Sequence, residues 1–229
     1  MLAGGFGTRL RGVLSDTPKA LAPVAGRPFL AYGLDLLAGG GVDHVVLATG
    51  YMAEQVEAAI GACWGAMRVS YSRESTPLGT GGALRQAAAL TQDGPLLVLN
   101  GDTYLRFDPA AFVERMRELQ APIGIALAEV ADVARYGVVE TLGDRVHAFR
   151  EKGDRGPGSI NAGVYCLSAG AVAALPRSEA FSFEHEVLAP AVAAGQVFAW
   201  RATADFIDIG VPADYAAAQA LAPGWSAGE

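Results

Sequence analysis

Between residues 44 and 130 the sequence alternates short apolar runs with helix-period segments, and this alternation limits the fold more than any other feature of the chain. The runs are "HVVLAT" (44–49), "MRVSYS" (67–72), "PLLVLN" (95–100) and "IGIALAEV" (123–130), and around them lie "PFLAYGLDLLAGG", "AEQVEAAIG", "GGALRQAAALT" and "DPAAFVERMREL". Strands this short, separated by helices of this length, predict right-handed βαβ units. The expected class is α/β, with a Rossmann-like, mostly parallel sheet flanked by helices. Past residue 130, "YGVVE", "RVHAFR" and "NAGVYCLS" shorten the rhythm and predict a small antiparallel insertion. "VFAWRAT" returns to a strand and "PADYAAAQAL" to a helix. No internal repeat or linker interrupts residues 1–229, so one domain is expected, changing character near residue 130.

Composition narrows the function classes. At 229 residues and 52% hydrophobic the chain can bury a substantial core, and its net charge of −7 argues against nonspecific nucleic-acid binding, which needs a basic surface. Phosphate chemistry must therefore rest on a few placed cations. Cys63 and Cys166 stand far apart without a CxxC partner, so neither a disulfide framework nor a zinc site is indicated, and both read as buried small residues. No apolar run approaches the ~18 residues of a membrane span, and the first 20 residues lack a signal-peptide core, so a cytoplasmic protein is expected.

In open α/β sheets ligands sit at the carboxyl ends of the strands, which directs attention to the residues just after each run. The opening "LAGGFGTRL" offers the backbone of Leu2, Ala3, Gly4, Gly5, Gly7 and Thr8 with few side chains in the way, a natural cradle for an anion. Arg9 and Lys19 place two cations nearby, and Pro18 stiffens the approach to Lys19. The loop is not a Walker motif, for no GK[ST] follows, and Leu10 stands where a Rossmann fingerprint needs its third glycine. "NGDTY" puts Asp102 directly after a buried run, and "FIDIG" does the same for Asp208. Two carboxylates with water and phosphate oxygens suit Mg²⁺.

Together these stretches resemble the sugar-1-phosphate nucleotidyltransferase family across nearly the whole chain. "LAGGFGTRL" with "TPKAL" is similar to its signature loop and lysine, "PLGTGGAL" to its base-recognition turn, "NGDTY" and "FIDIG" to its metal aspartates, and "YGVVE", "FREK" and "INAGVY" to its sugar-binding segments. Within the family, "PLGTGG", "FSFEHEVL" and the short C-terminus look most similar to the D-glycero-D-manno-heptose 1-phosphate guanylyltransferases, with mannose-1-phosphate guanylyltransferases and N-acetylmuramate-1-phosphate uridylyltransferases beside them.

The resemblance implies a nucleotide-binding half (about 1–130), a sugar-binding half (about 131–229), an NTP and a sugar 1-phosphate as substrates, and Mg²⁺. It implies that Arg9 and Mg²⁺ hold the departing pyrophosphate, that Lys19 meets the α-phosphate, that Lys152 holds the sugar phosphate, and that Glu151, Asn161 and the backbone at Gly137 and Gly163 meet sugar hydroxyls. It also assigns the base turn to Gly79 and Thr80 and base reading to Glu74, a carboxylate able to accept the two adjacent donors of guanine, so GTP is expected. A strand should precede "LAGG", where only Met1 stands, so an upstream strand is expected. "FSFEHEVL" has the pattern of a helix that packs on the body or on another subunit, leaving a homo-oligomer open. Membrane and nucleic-acid partners are not expected. A noncatalytic sugar-nucleotide sensor remains the alternative from another class, with a dinucleotide oxidoreductase behind it.

Overall fold

The structure is a computed structural model and describes residues 1–5, 17–150, 153 and 155–225. In chain order it runs β1 (Pro23–Val24), β2 (Arg27–Pro28), α1 (Phe29–Gly39), β3 (His44–Thr49), α2 (Ala53–Ile60), β4 (Cys63–Trp64), β5 (Met67–Arg73), α3 (Gly79–Ala88), β6 (Leu96–Leu99), β7 (Thr103–Phe107), α4 (Pro109–Glu118) and β8 (Ile123–Val130). The second half contributes β9 (Val138–Leu142), β10 (Arg145–Arg150), β11 (Gly158–Leu167), α5 (Ala169–Ala173), α6 (Ala189–Ala193), β12 (Val197–Trp200), β13 (Thr203–Asp208) and α7 (Pro212–Leu221). The four runs expected as strands are strands, and β3 and β8 have the expected bounds. "VFAWRAT" divides into β12 and the start of β13, and "TYLRF" is the strand β7, which the sequence reading passed over.

Strands order as β3-β5-β4 in one sheet and β6-β11-β8-β12-β10-β9 in another, with β13 and β7 as a separate pair. Residues 1–3 join the two larger sheets. Leu2 bridges Ala48 and Asn100 in parallel; its N–H donates to Leu99 O at 2.8 Å, while the Ala3 N–H donates to Ala48 O at 2.8 Å. The pairing is mixed where a mostly parallel sheet was expected. β3–β5 and β8–β12 are parallel, but β11 runs antiparallel between β6 and β8, and β9–β10 form a hairpin whose turn uses Gly143 at φ +58°. A short turn with positive φ reverses the chain without a crossover helix, which makes antiparallel pairing the available outcome. Because β11 pairs with β6 and β8, strands from both halves of the chain share one sheet.

Both faces of that sheet are covered, as the continuous burial of Ile123 to Ala128 requires. Ile125 and Leu127 pack with Leu84, Tyr165, Phe183 and Leu188, while Ala126 and Ala128 point the other way, into the cluster with Leu34, Leu37, Phe112 and Met116. The two-residue period of β8 thus feeds two separate cores. "FSFEHEVL" packs on its own chain: Phe181, Phe183 and Leu188 are buried there. Cys166 is buried as expected, and Cys63 is exposed on the two-residue strand β4.

Candidate active site

The ends of β3, β5 and β6 meet the opening loop around a cleft of about 320 Å³. Leu2, Ala3, Gly4, Gly5, Lys19, Glu74, Gly79, Thr80 and Asp102 all line it, so residues expected at the nucleotide site from four separated stretches converge. Gly7, Thr8, Arg9, Glu151 and Lys152 lie outside the described residues. Asn100, Gly101, Ala48 and Pro77 also line the cleft and were not singled out from sequence. The rule that sites gather at strand ends pointed to Asn100 and Gly101, which sit in "NGDTY" beside Asp102.

Lys19 opens a short 3₁₀ turn (Lys19–Leu21) after Pro18, with Pro18 at φ −57°, ψ 142°. Proline's restricted φ makes that entry rigid. The Lys19 Nζ lies 2.6 Å from Asp102 Oδ2 and 3.4 Å from Asp208 Oδ1. The two aspartates meet because β7 and β13 pair antiparallel, with Asp208 opposite Thr103, and because the Ile209 N–H donates to the Asp102 carbonyl at 3.1 Å. Asp208 is oriented by the Gly210 N–H at 2.7 Å. Among the described residues no group of three or more His, Cys, Asp and Glu is placed to hold a metal. Two carboxylates sharing one ammonium fit a hydrated divalent cation that arrives with nucleotide phosphates, since Mg²⁺ binds through one or two carboxylates plus substrate oxygens.

The turn expected to take the base is built by Gly79 and by the segment at Phe181. Gly79 has φ +69°, and a Cβ there would lie 2.6 Å from the Phe181 carbonyl oxygen, so no other residue fits without moving that segment. Phe181 caps the turn on both sides: its N–H donates to Leu78 O at 3.0 Å and its carbonyl accepts the Gly81 N–H at 2.9 Å. The Thr80 hydroxyl accepts the Phe183 N–H at 3.0 Å. Glu74 reaches the same turn, accepting the Leu78 N–H on Oε2 at 3.0 Å, and its Oε1 would lie 2.8 Å from a Cβ on Gly4. Glu74 therefore anchors the turn and lies beside the opening loop while lining the cleft.

Of the residues expected around the sugar, Gly163 lies against Asn100, with Asn161 beside it. The Asn161 Oδ1 accepts the Gly163 N–H at 2.9 Å, its Nδ2 donates to the Tyr165 hydroxyl at 2.8 Å, and the Gly163 carbonyl accepts the Asn100 N–H at 2.9 Å. These bonds hold a bulge in β11, where pairing with β8 shifts between Asn161 and Tyr165. Both polar ends of Asn161 are engaged within the chain, which sequence alone did not suggest. Burial pushes the Tyr165 hydroxyl far above its ordinary pKa, so it stays protonated. Gly137 packs against the Arg150 carbonyl, which a Cβ would meet at 2.8 Å. None of the three histidines lines the cleft; His44 bonds Ser70 and Arg68 instead.

The chain matches known proteins along most of its length. The profile described as "Nucleotidyl transferase" matches residues 1–223. The D-glycero-alpha-D-manno-heptose 1-phosphate guanylyltransferase of Aneurinibacillus thermoaerophilus is 39% identical, over 96% of this chain and 95% of that one. The mannose-1-phosphate guanylyltransferase of Mycobacterium tuberculosis is 34% identical over 94% of this chain, which spans 61% of that protein's length. The crystal structure of HddC from Yersinia pseudotuberculosis complexed with GMP-PN is 35% identical and superposes with a TM-score of 0.84 over 96% of each chain. A cleft of strand ends and a glycine loop, with two aspartates sharing one lysine, thus stands on a chain matched almost end to end, and the chain belongs to the nucleotidyl transferase family of enzymes.

Proposed function

We propose that the enzyme transfers guanylyl from GTP to D-glycero-D-manno-heptose 1-phosphate, giving a GDP-heptose and pyrophosphate. The observation that carries the reading is the convergence of Lys19, Asp102 and Asp208 at a cleft lined by Gly4, Gly5 and Glu74. Support for the substrates comes from the heptose 1-phosphate guanylyltransferase similar along almost its full length and from the guanine nucleotide named in the HddC complex. Mannose 1-phosphate is the second reading, favoured by the mannose-1-phosphate guanylyltransferase of which this chain matches 61% of the length.

The chemistry needs positioning more than an enzymic base. A sugar 1-phosphate is largely a dianion at neutral pH, since the second pKa of a phosphate monoester is ~6. Its oxygen attacks the GTP α-phosphorus, a new P–O bond forms, and the bond to the β-phosphate oxygen breaks as pyrophosphate leaves. The chain's task is to align two anions and offset their repulsion. Backbone N–H groups of the opening loop face the phosphates, Lys19 meets the α-phosphate, and Arg9 and Lys152 take the pyrophosphate and the sugar phosphate. Asp102 and Asp208 would hold Mg²⁺, which supplies further charge neutralisation at the phosphates. Glu74 and the turn at Gly79 and Thr80 take the base, while Gly137, Glu151, Asn161 and Gly163 form the sugar side.

No helix among the described residues is long and apolar enough to cross a membrane, and we assign the reaction to the cytoplasm, where it would supply activated sugar for cell-surface polysaccharide. A matrix of four NTPs against heptose, mannose and N-acetylmuramate 1-phosphates, read by pyrophosphate release, tests the reading. Highest kcat/KM for GTP with heptose 1-phosphate is expected. A higher value for mannose 1-phosphate or for UTP overturns the substrate assignment, and binding without pyrophosphate release favours a sensor.

A further inference from the structure

The turn at Gly79 is held from outside the cleft by a stretch with little structure of its own. Residues 174–182, between α5 and α6, form neither helix nor strand. Residues 177–180 are exposed, and among the described residues 176–180 make no backbone-to-backbone hydrogen bond. Buried side chains secure only the ends of this strap, at Leu175 and Phe181. Its middle is held by one side chain of α3. The Arg85 Nη1 donates to the Pro176 carbonyl and, at 2.6 Å, to the Ser178 carbonyl. The guanidinium carbon also stands 5.5 Å from the centroid of the Phe181 ring.

The sequence of α3 prepares this contact. Arg85 follows Gly81 by four residues, so the two share one stripe of the helix. Gly81 seats the aromatic ring, for a Cβ there would lie 2.1 Å from Phe181 Cε2. Gly82 makes room for the strap in the same way, since its Cβ would lie 2.6 Å from the Glu179 carbonyl oxygen. The helix thus offers a floor without side chains and one long cation beside it. Arginine suits that place because its flat group can bond carbonyls in its plane while its face covers a ring; an ammonium is a point charge that cannot do both. Arg85 does not line the cleft. What it reaches is Phe181, whose N–H donates to the Leu78 carbonyl and whose own carbonyl accepts the Gly81 N–H.

We propose that Arg85 is a positioning residue for the nucleotide: it clamps the strap at residues 176–181 onto α3, so that the Phe181 backbone keeps Leu78, Gly79 and Gly81 in the shape that receives the base. The inference rests on the assignment of that turn to the base. It adds a residue that touches neither substrate, and it predicts an effect confined to one of them.

The test compares the wild type with Arg85→Met and Arg85→Lys, using the NTP that the wild type turns over fastest, so that a preference for another base corrects the substrate assignment and leaves this test intact. Arg85→Met should raise KM for the NTP by about tenfold, the order of losing hydrogen bonds to a charged group. KM for the sugar 1-phosphate and kcat should stay within about twofold. Arg85→Lys, which keeps the charge and one bond, should fall between the two. Amide exchange at Gly81 and Phe181 should quicken by roughly tenfold in Arg85→Met, a readout of the clamp that needs no substrate. An unchanged KM for the NTP with unchanged exchange overturns the clamp. Faster exchange with an unchanged KM shows a clamp on a turn that does not take the base, and overturns the inference through the assignment on which it rests. Equal rises in both KM values with a lowered Tm overturn it in favour of general support of the fold.

Discussion

The ammonium of Lys19 lies 2.6 Å from Asp102 Oδ2, with Asp208 Oδ1 3.4 Å away on its other side, and the lysine side chain is only 12% exposed. One fixed cation thus occupies the position between the two carboxylates assigned to Mg²⁺. A divalent ion bound there would displace the Lys19 ammonium, freeing it for the α-phosphate. Lys19→Met should therefore have opposite effects on two measurements. Mn²⁺ affinity without nucleotide, read by spin resonance, should rise at least about tenfold as the competing charge is lost. Turnover should fall by roughly two to three orders of magnitude. Unchanged Mn²⁺ affinity would show that the aspartates do not share a site with the metal.

Asp102→Asn keeps the shape of the side chain and removes its charge. The Mg²⁺ concentration for half-maximal rate should rise by about tenfold or more, or activity should be lost. A metal titration superimposable on the wild type removes Asp102 from the ligand set.

Glu74 accepts the Leu78 N–H while lining the cleft, so it has two candidate duties. If it reads guanine, Glu74→Gln should weaken GTP and spare UTP, narrowing the preference by roughly one to two orders of magnitude for a paired contact worth ~1.5–3 kcal/mol. If it only anchors the turn, the KM values of both nucleotides should rise together. Parallel kinetics with the two nucleotides separate the outcomes, and we expect the first.

The Tyr165 hydroxyl meets Asn161, one of the residues assigned to the sugar side. Tyr165→Phe removes the hydroxyl that accepts from the Asn161 Nδ2 and leaves the buried ring in place. The loss of one such bond, about 1 kcal/mol, should raise KM for the sugar phosphate about fivefold with KM for GTP unchanged. Equal shifts for both substrates would mean that the bulge at Gly163 supports the whole cleft.

His44 makes stability depend on pH. Its pKa is lowered from the ordinary imidazole value first by burial and then by Arg68, with Asp43 opposing. Just below that ordinary value the unfolded chain binds the extra proton, so stability rises with pH through this window. Tm of His44→Gln should climb less steeply there than Tm of the wild type. Parallel curves would show that the imidazole is not desolvated.

Much of the fold was legible locally. His44–Thr49 and Ile123–Val130 were bounded by their apolar runs, because a strand buried on both faces tolerates few polar residues. The helix "PADYAAAQAL" was likewise bounded by its proline start. β7 was missed because "TYLRF" follows a turn so closely that the apolar run before it absorbs attention, and its partner β13 lies far along the chain.

The site divides in the same way. The residue types at the strand ends were readable, since Gly4, Gly5, Lys19, Glu74 and Asp102 each follow or flank a recognisable element and converge on one cleft. The partners were not. Nothing local to Asn161 announces that its amide is engaged by Tyr165 and Gly163, and nothing near Lys19 announces that it stands between Asp102 and Asp208. Periodicity records which face of an element leaves water, and so the sequence by itself determined the elements and the residues at their ends. Which strand lies beside which is settled by ladder pairing and packing across the whole chain, and only the tertiary structure decided that β13 meets β7, that β11 enters between β6 and β8, and that Leu2 joins two sheets.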